Sequence, residues 1–153
     1  MTGRAAAFAA VFIAFYVAHQ VGDHWVQTGA QAAGKGRPGW PGRLSCAAHA
    51  ATLTVTKLAV LAAATLMLGI HLTSWSLVAA LVIDAASHYW ADRRTTLAAL
   101  ARTLGKSGFY ALGAPRAGCD DNPSLGTGAY ALDQSWHVGW LFAAALIASI
   151  GAS

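Results

Sequence analysis

The chain reads as an all-α, polytopic membrane protein, a four-transmembrane-helix bundle with one short interfacial helix. Three observations predict this class. Hydrophobic residues fill 56% of the 153 positions and Asp, Glu, Lys and Arg only 10%, against roughly 25% charged in an ordinary soluble domain. Four stretches approach the roughly 20 mainly apolar residues that cross a bilayer. Gly- and Pro-rich or tightly turning segments separate them. The length suits one domain, taken as residues 1–153.

The first span is expected from about Ala6 to Val26. MTGRAAAFAAVFIAFYVAHQ resembles a signal peptide in charge and apolarity, yet it runs into His19 and Asp23 without a cleavage site. A retained helix is therefore expected. QAAGKGRPGWPGR follows as a loop, rich in Gly and Pro. The second span, about Ala47 to Leu68, and the third, about Trp75 to Ala91, are joined by the short Gly69–Ser74 turn and predict a helical hairpin. Thr95–Leu104 sets Leu97, Leu100 and Leu104 on one helical face with Arg94 and Arg102 off it, the pattern of a helix lying in the interface. Gly113–Gly128 has no periodicity and is expected as a loop, with Asp120 and Asp121 as solvated charges or accessory ligands. The last span is expected from about Ala131 to Ile150. Trp25, Trp40, Trp75, Trp90, Trp136 and Trp140 fall where spans meet headgroups, as an aromatic belt would.

Basic residues orient the bundle. Lys35, Arg37 and Arg43 lie in the first loop, and Arg93, Arg94, Arg102, Lys106 and Arg116 in the third, against Arg4 alone on the other side. This asymmetry predicts cytoplasmic long loops and extracytoplasmic termini in a multi-pass inner-membrane protein. The scattered positive charge carries no aromatic interleaving or nucleic-acid motif, so no nucleic-acid partner is expected. Cys46 and Cys119 are too few for a disulfide scaffold or a cysteine zinc knuckle.

The same orientation brings the polar residues to one depth. His19 and Asp23 end span one, His49 opens span two, Asp84, His88 and Asp92 end span three, and Asp133 and His137 open span four. Positions four apart share a helical face about 6 Å apart, so each pair can grip one ion. Ionisable groups inside a membrane are costly and read as functional by default. The expected metal ligands are His19, Asp23, His49, Asp84, His88, Asp133 and His137, with Asp92 either a ligand or a solvated helix-end charge. Mixed imidazole and carboxylate ligands suit zinc first, with manganese or iron as alternatives, over calcium. One ion or two are both compatible with so many ligands. Carboxylate-bridged metal bundles usually draw on Glu, which this chain lacks.

A metal near the cytoplasmic face would activate water for a hydrolase acting on a lipid-linked or phosphoester substrate, with Lys35, Arg37, Arg93 and Arg94 attracting an anionic lipid head group. The alternatives are non-enzymatic: a structural polar network, an ion or proton pathway, or a phage-type membrane-lysis factor. Lys57, near the middle of span two, either pairs with an interior carboxylate, snorkels, or lines a pathway. Gln27 either hydrogen-bonds a ligand or faces headgroups; Gln134 points away from Asp133; His24 is interfacial and His71 lies at the opposite side. A homo-oligomer is left open.

VAHQVGDHWVQ, CAAHA, LVIDAASHYW and ALDQSWH together resemble the bacterial and phage membrane family called domain of unknown function 3307. His19, Asp23 and Gln27 fall on that family's first-helix pattern, His49 on its later histidine, Asp84 and His88 on its acidic helix end, and Asp133, Gln134 and His137 on its last helix. The resemblance runs from about Val17 to Val138. It implies a helical membrane protein with shared polar positions and names no substrate. Gly22 and His24 depart from the more apolar setting usual around the family's acidic residue.

Overall fold

The computed structural model describes residues 2–114 and 126–153; Arg116, Cys119, Asp120, Asp121 and most of the expected Gly113–Gly128 loop lie outside the described residues. The described residues form α1 (Thr2–Val21), a π-helical turn (Gly22–Val26), α2 (Gly29–Gly34), α3 (Gly39–Leu68), α4 (Ser74–Asp92), α5 (Thr95–Thr103), α6 (Ser107–Tyr110) and α7 (Gly128–Ala148), with no strand among them. The fold is all-α, as the apolar periodicity predicts.

The four long helices close a ring in which α1 packs on α3, α3 on α4, α4 on α7 and α7 back on α1. Each neighbour runs antiparallel, the up-down-up-down arrangement of a four-helix bundle. One end gathers both termini and the hairpin turn: Gly3 lies against Ser153, and His71 and Ser153 exchange backbone hydrogen bonds of 3.1 and 3.2 Å. The other end gathers the basic loops. There Arg93 donates to the carbonyls of Lys35 and Arg37 at 2.7 and 2.5 Å, and Arg94 to that of Ala32 at 3.3 Å.

Two helical stretches, Gly3–Val26 and Gly39–Leu68, are long and apolar enough to cross a membrane by length and composition. The described parts of α4 and α7 fall short of that measure, because the acidic and imidazole residues they carry dilute their apolar content.

Several elements differ from expectation at the basic end. The expected loop around residues 31–43 holds α2 and the first turn of α3. Thr28 and Gln31 form a reciprocal capping box that starts α2, Thr28 Oγ1 accepting from the Gln31 amide at 3.2 Å. Pro38 caps α3 and Pro41 sits in its first turn, where a missing N–H costs nothing. At the far end Gly69 takes φ 65°, a left-handed stop suited to glycine. Trp90 and Trp136 are not simply belt residues; their rings stack 4.7 Å apart between α4 and α7, and Trp136 Nε1 donates to the Ser87 carbonyl at 3.4 Å.

The core divides by height. Toward the terminal end Val11, Ala14, Phe15, Leu61, Ala80, Leu141, Ala144, Ala145 and Ala148 make an apolar cluster. Alanines on the facing surfaces of α4 and α7 let those backbones approach closely. Toward the basic end the buried polar residues are His19, His49, His88, Asp92 and His137, with Ala18, Cys46, Leu53 and Ala91 buried beside them.

Candidate metal centre

Each long helix delivers its polar residues to the same layer. α1 ends on His19, and the π turn that follows carries Asp23. The wider turn closes through a Gln27 N–H donating to the Gly22 carbonyl at 2.8 Å. Such turns are found often at functional sites. Gly22 makes the turn possible next to α3: a Cβ there would meet Leu53 Cδ1 at 2.3 Å. The glycine beside Asp23 thus has a packing reason, since a side chain there would displace Leu53 from the α1–α3 contact.

Four atoms converge from three elements: Asp23 Oδ1, His49 Nε2, His88 Nε2 and Asp92 Oδ2. His49 Nε2 lies 3.2 Å from Asp23 Oδ1, 3.4 Å from Asp92 Oδ2 and 3.0 Å from His88 Nε2. His88 Nε2 lies 3.1 Å from Asp92 Oδ2 and 3.9 Å from Asp23 Oδ1. Ligands about 2.0–2.1 Å from a tetrahedral zinc ion stand about 3.3–3.4 Å from one another. The observed separations bracket that edge length.

Two further residues border this set. His19 Nε2 is 3.6 Å from Asp23 Oδ2, and His137 Nε2 is 3.5 Å from Asp133 Oδ1. The imidazoles are mutual neighbours, with ring centroids 4.2 Å apart for His88 and His137 and 4.9 Å for His19 and His137. Three sets place their ligand atoms within 4.8 Å of one another: His19, Asp23 and His88; His49, His88 and Asp92; Asp92, Asp133 and His137. Buried His and Asp side chains therefore stand close enough to chelate a divalent ion.

The donor set fits such an ion by a second observation. Buried His19 Nε2, Asp23 Oδ1, Asp92 Oδ2 and His137 Nε2 have no hydrogen-bond partner, whereas His49 and His88 leave only Nδ1 without one. Buried polar groups in folded proteins are nearly always satisfied, and each left alone costs about 1–3 kcal/mol. A cation among these atoms would satisfy several at once.

Six expected residues thus meet in the layer, and Asp92 joins them. Asp92 is fixed from outside by Lys35, whose Nζ donates to Asp92 Oδ1 at 2.8 Å. Asp84 does not join them. Its carboxylate pairs with the Lys57 ammonium in the bundle interior, and both residues are buried. A mid-span lysine needs an anion, and Asp84, a full two turns from Asp92, stands at its height. Gln134, expected to point elsewhere, donates from Nε2 to Asp133 Oδ2 at 3.3 Å. His24 is exposed, its Nδ1 2.9 Å from the Gln20 carbonyl, and His71 is exposed at the opposite end.

The layer is not sealed. Asp133 keeps 28% of its side chain exposed, the most of any acid in the cluster, so access is from its side. Nearby, Leu97, Leu100, Leu104, Leu132, Trp136 and Trp140 line an apolar groove of about 520 Å³ between α5 and α7. Compared with known proteins, the chain matches no family model, no curated protein and no solved structure.

Proposed function

We propose that the chain is a four-span membrane protein holding a divalent metal near its cytoplasmic face, and that it hydrolyses a lipid-linked or phosphoester substrate there. Kinship with domain of unknown function 3307 is part of this proposal, resting on the motifs given above. The convergence of the His49 and His88 nitrogens with the Asp92 and Asp23 oxygens, at separations of 3.0 to 3.9 Å, is the observation that carries it.

The membrane reading is supported by an inverted polarity. A soluble core helix is apolar because it is buried, yet only 17% of the apolar window of Gly39–Leu68 is buried within the chain. Leu66, Met67, Val55, Val78 and Val82 face outward while His19, His49, Lys57 and Asp84 face inward. Lipid is the solvent that favours this surface. α4 and α7 complete the bundle as spans whose polar residues face its interior. The clustering of Lys35, Arg37, Arg93 and Arg94 at the metal end supports placing that end in the cytoplasm.

Zinc, or manganese or iron in its place, would supply Lewis-acid activation of water at neutral pH. Asp23, His49, His88 and Asp92 would hold it. Lys35 keeps Asp92 aimed inward through its Oδ1, a partner of the kind that tunes metal affinity. The α5–α7 groove follows another face of the α7 turns that carry Asp133 and His137, and its apolar walls suit the chain of an amphiphile whose anionic head reaches the layer. Arg37 and Arg94 are exposed and placed to attract that head, Arg94 with one bond to the Ala32 carbonyl, whereas Arg93 and Lys35 are engaged by loop carbonyls and Asp92.

The competing reading is a non-enzymatic polar network. The Lys57–Asp84 and Lys35–Asp92 pairs favour it, because each ties two elements together without an ion. Metal analysis of protein purified in detergent without chelators separates the two. Stoichiometric zinc, manganese or iron in the wild type, lost in His88→Ala and Asp92→Asn, supports the metal centre. Metal-dependent phosphate release from a phospholipid in mixed micelles supports the hydrolase. A metal-free wild type overturns both.

A further inference from the structure

The cluster contains more ligands than one ion can use, and their arrangement divides them. Of the three ligand sets, His19/Asp23/His88 and Asp92/Asp133/His137 have no residue in common. An ion held by Asp23, His49, His88 and Asp92 would leave the Asp133–His137 side of the layer unused. His137 is 3% exposed, yet its Nε2 is buried without a hydrogen-bond partner and lies 3.5 Å from Asp133 Oδ1. Gln134 Nε2 holds the other oxygen of Asp133 at 3.3 Å, which leaves Oδ1 turned to the imidazole. This geometry turns two donor atoms toward one point.

We propose that Asp92, Asp133 and His137 form a second, more open cation position beside the first, with the Asp92 carboxylate shared between the two. The inference rests on the metal centre proposed above and deepens it. Asp92 is suited to the shared role because Oδ2 meets His49 and His88 while the same side chain belongs to the Asp133 set. Lys35 on Oδ1 restrains its orientation. The two positions differ in kind. The first has short separations and two imidazoles, as zinc prefers. The second has two carboxylates and one imidazole. A set dominated by carboxylate oxygens suits manganese or magnesium, completed by substrate oxygens.

The partial exposure of Asp133 puts the second position at the mouth, where an incoming phosphoester would arrive first. Paired cations about 3.5–4 Å apart clamp the attacking and leaving oxygens of a phosphoryl group. Two divalent ions set against three carboxylates also leave the layer net positive, which favours a doubly charged phosphate monoester over a neutral ester. The substrate class is thereby narrowed to phosphoesters.

Metal counting decides the matter. Detergent-purified protein is loaded with Zn2+ and Mn2+, freed of excess by gel filtration, and assayed for metal per chain. Two equivalents are expected in the wild type and one in Asp133→Asn and in His137→Gln, with circular dichroism confirming intact helices. In Mn2+-loaded protein, spin-coupled electron paramagnetic resonance lines are expected and should give way to an isolated-ion spectrum in Asp133→Asn. One equivalent in the wild type, or an unchanged count in both variants, overturns the second position and leaves the first standing. No bound metal in the wild type overturns the centre itself.

Discussion

The two halves of the bundle are built from the same four helices and solve burial in opposite ways. In the terminal half, Val11, Phe15, Leu61 and Leu141 pack against alanines of α4 and α7, with Phe8, Phe12 and Phe142 in aromatic contact beside them. The polar atoms there are satisfied locally. Ser76 Oγ donates to the carbonyls of Thr73 and Ala148, Ser149 Oγ to that of Leu146, and Thr65 Oγ1 to that of Leu61. In the basic half imidazoles and carboxylates are buried beside Cys46, Leu53 and several alanines, and every buried side-chain atom lacking a partner among the described residues belongs to that half. One half is finished by its own chain. The other holds donors close enough to chelate a cation, and the Lys57–Asp84 pair marks the boundary between them.

Several substitutions test that contrast. Lys57→Met alone leaves Asp84 buried without its cation and is expected to cost about 3–5 kcal/mol, whereas Lys57→Met with Asp84→Leu should recover most of the loss. Unfolding of both variants in detergent measures it, and equal destabilisation would show the pair to be no boundary at all. Phe15→Ala, which empties the apolar half, is expected to cost about 3–5 kcal/mol while bound metal per folded chain stays unchanged. A drop in metal content in that variant would join the halves into one unit.

Lys35→Met releases Asp92 from outside the layer. Metal affinity should weaken by about ten- to a hundredfold with little change in the stability of the metal-free protein. Competition with a chelating dye reads the affinity, and unaltered binding would reduce Lys35 to a loop tether. Gly22→Ala places a methyl group against Leu53 and should cost about 1–3 kcal/mol, partly restored by Leu53→Ala. An absence of rescue would locate the cost in the π turn rather than in the α1–α3 contact.

Much of this was legible in the residues. The apolar runs mark the helices, because burying or lipid-exposing a backbone requires its hydrogen bonds to be made internally. The i,i+4 pairs His19/Asp23, His88/Asp92 and Asp133/His137 could be read as shared faces, and alternation of helix direction puts them at one height. The π turn was not legible, since it depends on how closely Gly22 must approach Leu53. Nor was the early start of α3, where Pro38 and Pro41 looked like loop residues until a cap and first turn formed around them. Asp84 and Asp92 illustrate the limit best. Both stand four residues from His88, one on each side, and spacing treats them alike.

By itself, then, the sequence determined that this chain is helical, where its helices run, and that histidines and aspartates crowd toward one end of the bundle. Only the tertiary structure decided that Asp92 meets the imidazoles while Asp84 meets Lys57, and that Gln134 braces Asp133. The reason is rotational. Residues turn by about 100° each around a helix axis, so spacing sets which side chains share a face of one helix. Which neighbour that face meets is set by the packing of all four helices together.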